Sequence, residues 1–218
     1  MWVKVCGVRD RETALRLADI GVDAIGLNFF AKSPRRITIE EAAEIARVLP
    51  NHINRVGVFV NHAIDELISI ADRCKLDAVQ LHGDESASYL FELQKQLPEM
   101  RLIRAWRMGA DGLTGLAEFL ELCRQRRCPV AACLVDAHVE GVYGGSGKTV
   151  SWERLKAEYQ TTEWPPLILA GGLTEMNVAE AIAATIPWGV DTASGVESSP
   201  GIKDLERAEH FVRNAKNL

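Results

Sequence analysis

No stretch of this chain stays apolar for the roughly 20 residues that a membrane-crossing helix requires. The opening Met1-Trp2-Val3-Lys4 lacks the regions of a secretory signal and leads straight into a strand pattern. Neither membrane insertion nor export is expected. An excess of positive charge is also missing: 25 Lys and Arg stand against 30 Asp and Glu, a formal charge of -5. The overall field therefore does not favour nucleic acid, and an anionic ligand would need local cations and backbone dipoles. Cysteines number five, an odd count without a CxxC pair. That excludes an even disulfide framework and fits a reducing cytoplasm. The five histidines form no HExxH and no cluster at ligand spacing, so no metal is expected. The first turn, Cys6-Gly7-Val8-Arg9-Asp10, is not the GxGxxG of a dinucleotide fold.

What is present is an unbroken alternation of short apolar runs and amphipathic stretches. The runs 3–8, 24–30, 55–60, 78–83, 101–108, 131–137, 167–171 and 189–194 read as strands. They are apolar throughout rather than alternating, which suggests a sheet covered on both faces. Between them lie helical patterns. Asp10 is placed to cap the first helix, and Thr38-Ile39-Glu40-Glu41 has capping-box spacing. Ile64, Leu67, Ile68 and Ala71 mark one helix face. Further helices are expected from Ser86, Leu113, Ser151, Thr174 and Asp204. Eight parallel βα units of ~27 residues each fit a small (β/α)8 barrel. An open doubly wound sheet is the competitor. No linker or composition shift divides the chain, so one domain spanning 1–218 is expected.

In a barrel the chemistry sits where strands end at the C-terminal face. Strand seven closes on Gly171 and Gly172, and strand eight on Ser194 and Gly195. Two such turns in succession, leading toward helix starts, suit a phosphate held by backbone N–H groups. Strand one ends in Cys6, with Lys4 two residues earlier on the same side of the pleat. Lys4 would lower the thiol pKa and populate the thiolate, with Arg35 a second candidate cation. Asp136 ends the apolar sixth strand. Burial there would keep its carboxyl protonated, as a general acid requires. Arg104 and Arg107 on strand five and Asp191 inside strand eight also fall in this zone. Lys4 could form a Schiff base or serve as a cation holding Cys6 or a phosphate; the second is preferred. His82 could be an acid–base group or a wall of the pocket, and the sequence leaves both open. The other four thiols, Cys74, Cys123, Cys128 and Cys133, read as inert core residues. The loop 138–150 contains GGSGKT, but a P-loop needs Gly where Val142 stands. A glycine-rich lid over the mouth is the better reading.

The ordered motifs KVCG (4–7), KSPRR (32–36), GVFVN (57–61), QLHGDE (80–85), LVDA with YGGSGKTVSW, AGGLTEMNV and DTASGVESSPGIKD resemble the phosphoribosylanthranilate isomerases over essentially the whole chain. The resemblance implies a (β/α)8 fold and an Amadori rearrangement of N-(5-phosphoribosyl)anthranilate in tryptophan biosynthesis. It assigns the general base to Cys6, the general acid to Asp136, and the substrate-binding arginine to Arg35. The phosphate turns fall on Gly171, Gly172, Ser194 and Gly195. Lys4 and His82 join these as expected substrate-binding residues. Arg36 stands where an aromatic often follows that arginine, and Ala193 where a serine is usual. No cofactor is expected, because the reaction's iminium is its own electron sink. The expected partner is a phosphorylated aminosugar, with the chain a monomer or a homodimer. Three alternatives stay open: a Schiff-base aldolase or lyase, the histidine-pathway aminoaldose isomerase, which carries Asp where Cys6 stands, and a non-catalytic sugar-binding barrel.

Overall fold

In the computed structural model, which describes residues 1–136 and 152–217, the apolar runs become eight parallel strands. They are β1 Trp2–Cys6, β2 Ala24–Asn28, β3 Asn54–Phe59, β4 Ala78–Leu81, β5 Arg101–Arg107, β6 Ala132–Asp136, β7 Leu167–Ala170 and β8 Gly189–Thr192. Each pairs with the next, and β8 closes on β1 with Lys4 opposite Asp191. The closed barrel rules out the open sheet. Around it run α1 Arg11–Ile20, α2 Ile39–Val48, α3 Ile64–Arg73, α4 Ala87–Gln96, α5 Thr114–Gln125, α6 Trp152–Glu158, α7 Val178–Thr185 and α8 Leu205–Lys216. None is long and apolar enough to cross a membrane.

The helix boundaries follow from local chemistry. Asp10 accepts the Thr13 N–H at 2.8 Å to cap α1, and Gly21 ends it at φ 95°. The Thr38–Glu41 capping box is closed from both sides. Ser86 and Asp204 cap α4 and α8. Each such cap is worth about 0.5–2 kcal/mol.

Side chains alternate across each strand. One set, including Val3, Val5, Ile25 and Leu27, packs outward against the helices. The other fills the barrel with small and branched groups such as Ala24, Val56, Ala78, Ala132 and Ile168, above a floor where Trp2 stacks on Trp188 at 5.1 Å. The interior is therefore apolar low down, and its inward residues become polar toward the C-terminal ends of the strands.

Two segments differ from the sequence reading. After β7 no helix begins at Thr174. Asn177 instead accepts the Thr174 N–H at 2.8 Å and donates to the Gly172 carbonyl at 3.0 Å, so α7 starts at Val178. After β8 a single 3-10 turn, Ser194–Val196, leads into a hairpin of β9 Glu197–Ser199 and β10 Ile202–Lys203. Strands of two and three residues are too short to carry a periodic signal. The expected lid at 138–150 lies outside the described residues.

Candidate active site

The C-terminal mouth holds a cavity of about 240 Å³ lined by Cys6, Arg35, Gln80, His82, Asp136 and Asp191, together with the turns at Gly171–Gly172 and Ser194–Gly195. It adjoins a cleft of about 600 Å³ that shares Asn28, Val58 and His82 and adds Lys32, Pro34, Asp84 and Arg107. Residues from seven strands and their loops thus converge on the smaller cavity, although they span the chain from 6 to 195. Lys4 is the one expected site residue that does not line this cavity.

Cys6 ends β1 and points into the barrel with 8% of its surface exposed. Opposite it on β2 stands Gly26. A Cβ at Gly26 would lie 2.6 Å from the Cys6 Sγ and 2.9 Å from its Cα, so only glycine leaves the thiol its place. Below it, Lys4 has no exposed surface and donates to Asp191 Oδ1 at 2.8 Å. Burial alone would lower the Lys4 pKa, but it stands raised, held chiefly by the charge of Asp191 and the hydrogen bond to it. The thiol behaves otherwise than expected. Burial pushes its pKa up, and the nearby Lys4 and Lys203 cations oppose that push without overcoming it. The resting site therefore favours the thiol over the thiolate. Low dielectric penalises an anion more than a partly shared cation can repay.

Arg35 leaves the loop after β2 and crosses to β9. Its Nε and Nη2 donate to the two Glu197 oxygens at 2.8 and 2.7 Å. Lys203 from β10 donates to the same carboxylate at 2.8 Å. Burial works against the carboxylate, yet the two cations win and hold Glu197 below its ordinary range. Gly7, at φ 79°, lets the Arg35 side chain pass; a Cβ there would sit 2.6 Å from its Cδ. Arg35 Nη1 has no partner among the described residues and remains available at the cavity wall. Glu197 and Lys203 were not foreseen, because the hairpin that delivers them left no trace in the sequence pattern.

The two turns are held together. Gly171 and Gly172 have φ of 94° and 65°, in the left-handed region where glycine is favoured. Neither gives its N–H to another backbone carbonyl of the described chain. Thr192 donates to the Leu173 carbonyl at 2.7 Å, and a Cβ on Gly195 would run into that same carbonyl oxygen. Glycine at 195 is thus required by close approach, and the β7 and β8 turns face one cavity side by side.

His82 lines both cavities. Burial and the charges of Arg107, Lys4 and Arg104 lower its pKa to about 4, so the ring is neutral near pH 7. Its Nδ1 lies 3.0 Å from the Gln80 amide nitrogen. Arg104 lines the larger cleft but not the smaller cavity. It points outward, pairs with Glu85 at 3.0 Å and lies over the rings of Trp106 and Phe119. The register decides this: Ile103 and Ala105 take the inward positions. Among the described residues no group of three His, Cys, Asp or Glu side chains is arranged to hold a metal ion.

A cation, a thiol, a carboxyl group and two glycine turns thus share one barrel mouth. The family model described as N-(5'-phosphoribosyl)anthranilate (PRA) isomerase matches residues 3–214. The chain belongs to the N-(5'-phosphoribosyl)anthranilate isomerase family. The N-(5'-phosphoribosyl)anthranilate isomerase of Geotalea uraniireducens is 42% identical over 216 residues, covering 99% of this chain and 98% of that one. Among solved structures, the phosphoribosyl anthranilate isomerase of Thermotoga maritima superposes with a TM-score of 0.82 at 36% identity, covering all of both chains. Another isomerase of the family, solved in complex with reduced 1-(o-carboxyphenylamino)-1-deoxyribulose 5-phosphate, gives a TM-score of 0.79 at 32% identity over the full length of both. A further structure is of monomers made from the dimeric enzyme of Thermotoga maritima, with a TM-score of 0.78 at 31% identity over both chains.

Proposed function

We propose that this chain, acting as one catalytic barrel domain, converts N-(5'-phosphoribosyl)anthranilate to 1-(2-carboxyphenylamino)-1-deoxyribulose 5-phosphate, a step of tryptophan biosynthesis. The observation that carries the reading is that Cys6 and Asp136 line the same small cavity as the two glycine turns. In this scheme the backbone N–H groups at 171–172 and 194–195 hold the phosphate. Arg35, fixed by Glu197, turns its free Nη1 toward the anthranilate carboxylate. Asp136 protonates the furanose oxygen, and the ring opens to an iminium. Cys6 takes the proton from C2', and the electrons of that C–H bond move into the iminium to give an enolamine. Tautomerisation then gives the ketone.

The iminium also answers the problem of the raised thiol pKa. A new positive charge beside Cys6 favours the thiolate as the ring opens, the thiol proton leaving to solvent before the C2' proton is taken. Lys4 supplies a fixed positive charge from below, without contact with substrate. A Schiff base at Lys4 is disfavoured, because the amine is wholly buried and paired with Asp191. Five unpaired thiols suit a cytoplasmic setting, and the chain acts there as a monomer or a homodimer.

The test is turnover of purified variants. Cys6→Ser and Asp136→Asn should each lower kcat by at least ~100-fold, the scale of a general acid or base, with folding retained. Near-normal turnover in either variant removes that residue from the mechanism.

A further inference from the structure

Gln80 sits in the middle of β4 with 1% of its surface exposed, yet it lines the catalytic cavity. Its amide nitrogen faces His82 Nδ1 at 3.0 Å, while its amide oxygen has no hydrogen-bond partner among the described residues. Rotating the amide does not remove the vacancy. His82 offers one ring nitrogen, so either the oxygen or the NH2 is left without a partner. Buried polar groups are seldom left so, because the desolvation of the unpaired atom is uncompensated. An apolar side chain of similar length would fill the space without that loss.

The position of the open atom says what it is for. β4 lies four strands round the barrel from β8, and so across the mouth from the turns proposed to hold phosphate. A sugar tethered at those turns extends toward β4, with its hydroxyls in the interval. We propose that Gln80 binds the substrate: its amide oxygen accepts a hydrogen bond from a hydroxyl of the sugar, while its NH2 fixes the ring of His82. A neutral imidazole carries one N–H. With Nδ1 accepting from Gln80, the proton is on Nε2, and no described residue takes it. His82 then presents a donor to the cavity wall beside the acceptor of Gln80. The pair rests on the isomerase reading given above and adds to it the residues that read the sugar.

Binding of the reduced product, 1-(o-carboxyphenylamino)-1-deoxyribulose 5-phosphate in its reduced form, tests this without turnover. Its Kd is compared with those of two analogues lacking the C3 or the C4 hydroxyl, on wild type, Gln80→Met and Gln80→Glu. A site built to bond a hydroxyl rejects the ligand that lacks it. Wild type should bind one deoxy analogue at least ~tenfold more weakly than the parent, and Gln80→Met should bind the two alike. Gln80→Glu keeps an acceptor and should keep the discrimination. Nitrogen NMR of His82 should show Nε2–H in wild type and a mixture of tautomers in Gln80→Met. A role in packing alone would lower stability while leaving both readouts unchanged, and that result overturns the proposal, as does equal binding of all three ligands by wild type. If Gln80→Met does not fold, wild type and Gln80→Glu still decide it. Failure of wild type to bind the parent analogue would count instead against the isomerase reading.

Discussion

Gly26→Ala tests the geometry most directly, because it alters the base without touching a chemical group. The added methyl would stand 2.6 Å from the Cys6 sulfur, 2.9 Å from its Cα and 3.1 Å from its Cβ. Comfortable separation between such atoms is about 3.5–4.0 Å, so the thiol must move by roughly 1 Å. The backbone of Cys6 cannot simply withdraw, since β1 is paired on both sides, to β2 and to β8. The side chain therefore turns aside, or the strands part. Overpacking of this kind costs about 1–3 kcal/mol of stability. Misplacing a reacting group by ~1 Å can cost on the order of 100-fold in rate. The expected result is a folded protein, mildly destabilised in a denaturant titration, with kcat lower by one to two orders of magnitude and near-normal affinity for the reduced product. Gly57→Ala is the control. Its methyl would meet Leu76 and Phe59 on the helix side, so it should destabilise the barrel while leaving kcat near wild type. Unchanged turnover in Gly26→Ala, or an equal loss in both variants, would refute the argument that Gly26 places the base.

Two further outcomes follow from charges at the mouth. Glu197→Gln removes the carboxylate that fixes Arg35 and leaves the buried Lys203 without its counter-ion. KM should rise more than kcat falls, and stability should drop by up to about 3–5 kcal/mol as for other broken buried pairs, read from denaturant midpoints. An unchanged KM would separate Arg35 from substrate. His82 supplies the pH test. Its folded pKa, lowered to about 4, lies below the unfolded value near 6.5, so the unfolded chain binds the proton first. Stability should fall as pH drops from about 6.5 to 4, by an amount on the order of 3 kcal/mol. His82→Asn should lose that part of the slope; identical pH profiles for the two proteins would mean that the ring is not held neutral.

The alternation of strands and helices was legible because both signals are local. Asp10, the Thr38–Glu41 box, Ser86 and Asp204 each act within one turn of their own helix, so their roles could be read from spacing. Cys6 and Asp136 were legible for a different reason: a barrel sends the last inward residue of each strand to one end. The hairpin 197–203 escaped, since its strands are too short to show a period. With it escaped Glu197, the partner that fixes Arg35. Arg104 reaches the larger cleft but not the smaller cavity, because one residue of register separates the inward face from the outward one.

Local pattern alone set the eight units, their caps, and the residue types gathered at the mouth, because propensity and periodicity act over a few neighbouring residues. Which of those groups carry charge, and what holds them, was settled by the folded barrel. Burial raised the thiol pKa that a neighbouring lysine was expected to lower, Asp191 claimed Lys4 from 187 residues away, and Glu197 claimed Arg35 from 162. Solvation and long-range pairing depend on the closed barrel, and no local pattern encodes them.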